Sequence, residues 1–517
     1  MVNYQFTDGT ICAPATIPGT GAISIIRVSG KEALTIADKI IHLSGGSLAE
    51  TEGYRLRYGT IFEADGSVLD NVIVSVFRAP HSYTGENSVE ISCHASRFIV
   101  NAILEGLVNA GARIAAPGEF TRRAFVNGKM DLAQAEAVAD VIASQSAASH
   151  KVAMNQLKGG FSSELKDLRE KLLKMTSLLE LELDFSEEDV EFASRSELEA
   201  LVNEALTHIG RLTESFSRGN AIKNGVPVAI VGATNTGKST LLNALLGEDR
   251  AIVSDIAGTT RDTIEETLNL GGVMFRFIDT AGIRETDEVV EKIGIERTFK
   301  KMDEASIVLG MTDLSRGEDS VLADAEYIWD KVNASSSGQE FLLLVNKCDV
   351  DGCESVDGEG HVAGYAGAGY AGTGYGAGDA GTGYGAGDGA GDADKTGKMA
   401  KIEATLREKG ISAKLIPISA KTGYGLAALT ETLAEIGRRI TGDTDETLVT
   451  NIRHYEALVR AATALGRVRD GLQVATLPPD LIAQDLREAL YHLGEIVGEI
   501  GTEEVLGNIF RKFCIGK

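Results

Sequence analysis

The run Val228-Ala-Ile-Val-Gly-Ala-Thr-Asn-Thr-Gly-Lys-Ser-Thr240 has residue types and spacings suited to phosphate chemistry. A short apolar strand leads into Gly232-x-x-x-x-Gly237-Lys238-Ser239, and Leu241 to Leu246 reads as the helix that follows. The two glycines let the backbone fold closely around phosphate oxygens with its N–H groups turned inward. The helix points its positive end at the same anion. Lys238 is spaced to reach the β- and γ-phosphates and Ser239 to hold Mg²⁺. Asn235, Thr236 and Thr240 complete the nucleotide-binding stretch.

Further motifs follow in the order a GTPase needs. In Ser254-Asp-Ile-Ala-Gly-Thr-Thr-Arg-Asp262 a threonine, for which Thr260 is the choice, can complete the Mg²⁺ shell and sense the γ-phosphate. The strand Met274 to Ile278 then ends in Asp279-Thr280-Ala281-Gly282. Asp279 is expected behind the metal, and the Gly282 N–H facing the γ-phosphate. Asn346-Lys347-Cys348-Asp349 comes after the strand Phe341 to Val345 and carries the base preference. The Asp349 carboxylate can accept from N1–H and the exocyclic amine of guanine; adenine has no such donor pair, and an unpaired buried carboxylate discriminates strongly. Ser419-Ala420-Lys421 offers a backbone donor to the guanine carbonyl. Each string alone is weak. Four in this order, each after a strand, specify GTP.

Ile283 stands where many GTPases place the glutamine that orients the attacking water. Another group, sought within Glu285 to Glu291, must take that role, or hydrolysis is slow. Asn235 offers a carbonyl oxygen beside the β/γ bridge, where a monovalent cation could stand in for an arginine finger.

These loops need a scaffold, and the chain of 517 residues suggests about three domains. Hydrophobic residues at 43% with 24% charged are ordinary for a globular protein. A net charge of −25 argues against sequence-independent coating of nucleic acid, though it leaves room for a local basic patch. No apolar run is long enough for a membrane span and no secretory signal is visible. Five scattered cysteines read as reduced thiols in the cytoplasm, not as a zinc site.

Residues 1–127 alternate strand and helix patterns and read as an α+β domain, with strands at Ile23 to Val28 and Asn71 to Phe77 and a helix at Phe98 to Val108. Arg27, the stretch from Ser82 through Glu90, and Lys129 could carry chemistry there, although turns and solvated charges explain them better from the residues alone. Residues 128–222 read as bundle helices, with Leu157, Phe161, Leu165, Leu168, Leu172, Met175 and Leu179 on one apolar face and a kink or boundary at Gly159-Gly160. Residues 223–440 form the expected nucleotide domain. Within it, about 354–398 is a Gly/Ala/Tyr/Asp segment with a tandem nine-residue repeat, expected to be a disordered loop. Residues 441–517 return to helices, one opened by Pro478-Pro479 with Asp480 as a capping candidate. The nucleotide domain is thus expected as an α/β insertion into a helical domain built from both flanks.

With the terminal Cys514-Ile-Gly-Lys517 added to Gly258-Thr-Thr-Arg-Asp262, Asp131-Leu-Ala-Gln-Ala-Glu136 and Ile293-Gly-Ile-Glu-Arg297, the chain resembles the MnmE (TrmE) family of tRNA-modification GTPases. The resemblance runs from Ala15 to the last residue, apart from the Gly-rich insertion; Thr234 also departs from the proline usual in the family's phosphate loop. It implies a homodimer that joins a flavoprotein, MnmG, in a heterotetramer and modifies C5 of the wobble uridine of certain tRNAs. The one-carbon unit would come from a tetrahydrofolate derivative, 5-formyl- or methylene-tetrahydrofolate. The N-terminal domain would bind that folate and dimerise, with Arg27, Glu90, Lys129 and Lys517 matching folate contacts and Cys514 a reactive thiol beside them. The resemblance further implies K⁺ held by Asn235, Ser254, Ile256 and Thr259, with Glu291 positioning the water. Two other readings remain: a ribosome-assembly GTPase, and a nucleotide-switched folate-binding scaffold with negligible turnover.

Overall fold

A computed structural model describes residues 9–19, 21–63, 65–184, 195–249, 266–278, 302, 304–334, 338–349, 392–442, 446–473, 478–499, 503–511, 513 and 516. The chain divides into two compact units, Met1–Lys223 with Asp443–Lys517, and Asn224–Gly442. The second lies within the first in chain order.

The first unit begins with a seven-stranded sheet of β1 (Ile11–Pro14), β2 (Ile23–Ser29), β3 (Ile41–Leu43), β4 (Arg55–Phe62), β5 (Val68–Phe77), β6 (Ser88–His94) and β7 (Arg113–Ile114), in the order β3-β4-β5-β6-β2-β1-β7. Alternating side chains take opposite faces of a strand. Ile26 and Val28, Val72, Val74 and Val76, and Val89 and Ile91 are therefore buried together, with Ile36 of α1 (Ala33–Asp38) and Ile103 and Leu107 of α2 (Arg97–Asn109) in the same core. α3 (Glu119–Val126) begins after Gly118, whose φ of +68° is left-handed.

α4 (Leu132–Ala143) starts at a reciprocal cap: the Asp131 carboxylate accepts from the Gln134 N–H, and the Gln134 side chain accepts from the Asp131 N–H. α5 (Ala147–Leu157) ends before Gly159, at φ +85°. The boundary therefore falls at the glycine pair, and Leu157 does not share the long helix α6 (Gly160–Asp184), contrary to the single-face reading. Phe161, Leu165, Leu168, Leu172 and Leu179 of α6 are buried. α7 (Arg195–Asn224) brings Leu198, Val202, Ile209 and Leu212 to the same core.

The second unit is a six-stranded sheet of β8 (Val226–Gly232), β9 (Glu266–Leu270), β10 (Val273–Ile278), β11 (Ile307–Asp313), β12 (Glu340–Asn346) and β13 (Lys414–Pro417), ordered β13-β12-β11-β8-β10-β9. All pairings are parallel except the β9–β10 hairpin. Its helices are α8 (Lys238–Asp249), α9 (Glu318–Ala334), α10 (Asp392–Glu408) and α11 (Leu426–Thr441). The central strands are apolar through their middles, as strands covered on both faces must be, with polar residues at the ends of β11 and β12. α10 corrects the extent of the expected disordered loop: residues 392–398 already belong to a helix. Its anchor lies further on, where Ile402 and Leu406 are buried in the core. The remainder of that segment, residues 354–391, lies outside the described residues.

Three helices close the first unit: α12 (Ile452–Leu472), α13 (Pro479–Val497) and α14 (Glu503–Phe510). Leu458 and Leu465 of α12 and Leu486 and Leu493 of α13 join the core of α6 and α7, so one helical core is made from both ends of the chain. Pro478, not Asp480, is the N-cap of α13, with no side-chain cap bond; Asp480 sits within the first turn, where it can only favour the helix dipole. Among the described residues no helix is long and apolar enough to cross a membrane.

A buried charged group ties these helices together. Arg453 donates from Nε and one terminal nitrogen to the Glu136 carboxylate, both at 3.0 Å, and to the carbonyl oxygens of Glu495 and Ile496. His454 Nε2 lies 2.6 Å from Glu136. Burial alone would raise the Glu136 carboxyl, but the charges and hydrogen bonds of His454 and Arg453 outweigh it and hold the pKa at about 2. A carboxyl depressed on folding stabilises above its ordinary range, and that contribution fades as pH falls from there towards about 2. Glu136→Gln is expected to cost about 3–5 kcal/mol, the usual penalty for a buried charge deprived of its partner. Urea unfolding of both proteins between pH 7 and 3 checks this: the gap narrows on acidification.

Candidate functional site

The loop from Ala233 to Gly237 leaves the carboxyl end of β8, at the point where the next connections in the sheet go to opposite sides. Crevices at such a point are where open α/β sheets bind ligands. A Cβ on Gly232 would lie 2.3 Å from the Met311 carbonyl oxygen, so only glycine permits the close approach of β11. Gly237 has φ +101°, and a Cβ there would lie 2.3 Å from Asn346 Nδ2. Asn235, at φ +64°, gives the loop another left-handed turn. Thr236 is buried, and its hydroxyl donates to the Ala233 carbonyl at 2.9 Å.

Lys238 opens α8, and its ammonium donates to the carbonyls of Gly232 (2.9 Å) and Ala233 (2.8 Å). Burial lowers its pKa. A cation held inside a loop whose glycines bring backbone close is a cradle for an anion. Ser239 and Thr240 follow in the first turn of the helix, Thr240 exposed.

The residues of the expected guanine motif meet the same loop. Asn346 ends β12, is buried, and uses both ends of its amide: Nδ2 donates to the Thr236 carbonyl at 2.7 Å and Oδ1 accepts from the Ala420 N–H at 3.0 Å. One side chain thus fixes the phosphate loop against Ser419-Ala420-Lys421. The Ser419 hydroxyl donates to Asp349 Oδ1 at 2.8 Å, orienting that carboxylate, and Lys421 is exposed beside them. Lys347, at φ +66°, turns its ammonium to Asp313 Oδ2 at 2.6 Å.

Asp313 is a site residue that the motifs do not reveal. It ends β11 directly opposite Asn346 in the register, and an acidic residue closing an otherwise apolar parallel strand is the signal that marks it. Burial pushes its carboxyl up, but hydrogen bonds from Lys347 and Ser315 win and hold it below the ordinary range. Ser254, Ile256, Thr259, Thr260, Asp279, Thr280, Ala281, Gly282 and Glu291 lie outside the described residues, as does Ile283.

A second constellation occupies the N-terminal sheet. Arg27 and Glu90 are directly paired in the β2–β6 register, with Arg27 Nε donating to Glu90 Oε1 at 2.9 Å. The Arg27 guanidinium lies 5.2 Å from the Tyr83 ring centroid and 5.6 Å from that of Phe120. Lys129 donates to the Pro80 carbonyl at 3.1 Å, and its stem lies against Gly85 of the same turn. Tyr83, inconspicuous in sequence inside Ser82-Tyr-Thr-Gly-Glu86, is thus the ring that faces Arg27, and its hydroxyl lies 2.9 Å from that of Thr121. Cys514 and Lys517 lie outside the described residues. Their neighbours are placed: Phe513 packs with Phe510 and Leu132, and Gly516 is so close to the Pro14 carbonyl that a Cβ would lie 2.0 Å from it.

Comparison with known proteins gives two family matches, the MnmE helical domain over residues 132–514 and the GTP-binding protein TrmE N-terminus over residues 10–129. The tRNA modification GTPase MnmE of Parabacteroides distasonis is 48% identical over 98% of this chain and 100% of its own length. Its namesake from Bacteroides fragilis is 48% identical over 98% and 99%. That of Flavobacterium johnsoniae is 45% identical over the full length of both chains.

Proposed function

The chain belongs to the MnmE (TrmE) family of tRNA-modification GTPases, and from that premise we propose that it hydrolyses GTP to drive modification of wobble uridines in certain tRNAs. The observation that carries this reading is the pair of hydrogen bonds made by Asn346, which joins a phosphate cradle to the Ser419-Ala420-Lys421 loop, whose Ser419 orients the Asp349 carboxylate. A G domain so built binds the nucleotide by its backbone and Lys238, and reads the base through Asp349.

The donor set fits the metals. The Ser239 hydroxyl, with Thr260, suits Mg²⁺, which supplies charge neutralisation between the β- and γ-phosphates. Asn235 presents an amide oxygen on a left-handed turn at the mouth of the loop, and with Ser254, Ile256 and Thr259 it makes an all-oxygen set suited to K⁺. In the absence of a glutamine at Ile283, Glu291 positions the attacking water. Two copies meeting nucleotide site to nucleotide site complete the arrangement.

The N-terminal part takes the folate derivative. Arg27 is already neutralised by Glu90, so the folate's glutamate carboxylates fall to Lys129 and Lys517, while Tyr83 and Phe120 supply flat apolar surface. On the outer face of the same sheet Leu56, Tyr58, Phe62, Val68 and Ile73 are exposed on paired strands, a surface that favours a homodimer. The flavoprotein MnmG is the second partner. A ribosome-assembly role is less well supported, because the segment after the second unit builds bundle helices.

Mass spectrometry of tRNA nucleosides from cells lacking this protein tests the reading. Wobble uridines without their C5 substituent are expected, returning when the gene is restored. An intact modification profile would reject it.

A further inference from the structure

The Asp313–Lys347 pair has a geometry that the motifs alone do not require. Asp313 is only 5% exposed, at the carboxyl end of β11, and its neighbour across the sheet is Asn346. Its Oδ1 is taken up locally, accepting from the Ser315 N–H at 3.0 Å and the Ser315 hydroxyl at 2.6 Å. Oδ2 is thereby aimed, and it accepts from Lys347 Nζ at 2.6 Å. Lys347 leaves β12 at φ +66°, a conformation that side chains other than glycine adopt at a cost and that persists where the surroundings hold it. Its methylene stem thus spans from the end of one strand to the end of the next, along the edge that carries Asn346, Asp349 and Ala420. Only a third of that side chain is exposed.

We propose that Asp313 is a positioning residue of the base site: by pinning the Lys347 ammonium it holds the lysine stem as a fixed apolar strip for the flat face of a purine. This rests on the base-site reading above. Asp313 touches no nucleotide and reads no donor or acceptor on the base. Its contribution therefore appears in affinity for purine nucleotides of either kind, whereas choice between them belongs to Asp349. Left unpinned, a lysine chain populates many rotamers and must be ordered again on each binding event.

The test measures equilibrium affinity of the full chain for GDP and for IDP, which lacks the exocyclic amine, by competition with a fluorescent GDP. Asp313→Asn is expected to weaken both by about ten-fold, the scale of one charge-assisted hydrogen bond, and to leave the GDP-to-IDP ratio unchanged. Asp313→Glu, which keeps the charge, should recover part of the loss. Lys347→Met should weaken both ligands to a similar extent, and the double variant should be no worse than either single one. If Asp313→Asn does not fold, Lys347→Met carries the same test, because Ser315 still satisfies Asp313 Oδ1. Wild-type affinity in either variant, additive losses, or a changed GDP-to-IDP ratio would overturn the proposal. Failure of the unaltered chain to bind GDP at all would instead overturn the base-site reading.

Discussion

Asp349→Asn should turn a guanine site into one that prefers xanthine. The carboxylate lies in the turn after β12 and is oriented by the Ser419 hydroxyl at 2.8 Å, from a loop whose Ala420 N–H is held by Asn346. Guanine meets it with two donors, N1–H and the exocyclic amine. An amide in its place turns an N–H towards that amine, so a buried donor faces a donor and neither is satisfied. Sites that hydrogen-bond a ligand reject the mismatched analogue by large factors, and GTP affinity should fall roughly 10³-fold or more. Xanthine carries a carbonyl where guanine carries the amine, so XTP should bind the variant better than GTP does. Competition binding with GTP and XTP on both proteins measures the exchange. Equal loss for the two nucleotides would mean that Asp349 acts through the fold and not through the base.

Gly237→Ala is the second large effect. The position needs φ +101°, and its Cβ would fall 2.3 Å from Asn346 Nδ2. Asn346 cannot retreat without losing the Thr236 carbonyl, and its other end is held by the Ala420 N–H. The substitution therefore adds backbone strain of about 1–3 kcal/mol and leaves buried partners unpaired at about 1–3 kcal/mol each. Together these put the expected loss of GTP affinity at roughly 10³-fold. Isothermal titration with GDP checks it, with far-ultraviolet circular dichroism to show that the sheet persists. Near-normal binding would mean that the loop can reshape around a side chain.

Both effects turn on residues that the amino-acid sequence itself makes legible. The phosphate loop follows a strand and opens a helix because apolar run, glycines and helix formers agree locally, and β8 and α8 lie there. The guanine motif likewise follows a strand, β12. A link made across more than a hundred residues is not legible in that way: Asn346 reaches Thr236 only because parallel strands β8, β11 and β12 end at one edge. Asp313 is hidden for the same reason, since its partner Lys347 lies on the next strand over. Arg27 and Glu90 are separately visible, but their mutual neutralisation is a matter of cross-strand register. Low-complexity composition also overruns its boundary, because Asp392 to Lys398 borrows helical order from Ile402 and Leu406 further along α10.

The most direct test is multiple-turnover phosphate release by the purified full chain, run with GTP and with ATP in KCl and again in NaCl. Steady release is expected from GTP in KCl, with marked slowing when sodium replaces potassium and no release above background from ATP. Comparable turnover of ATP, or GTP hydrolysis indifferent to the cation, would contradict it.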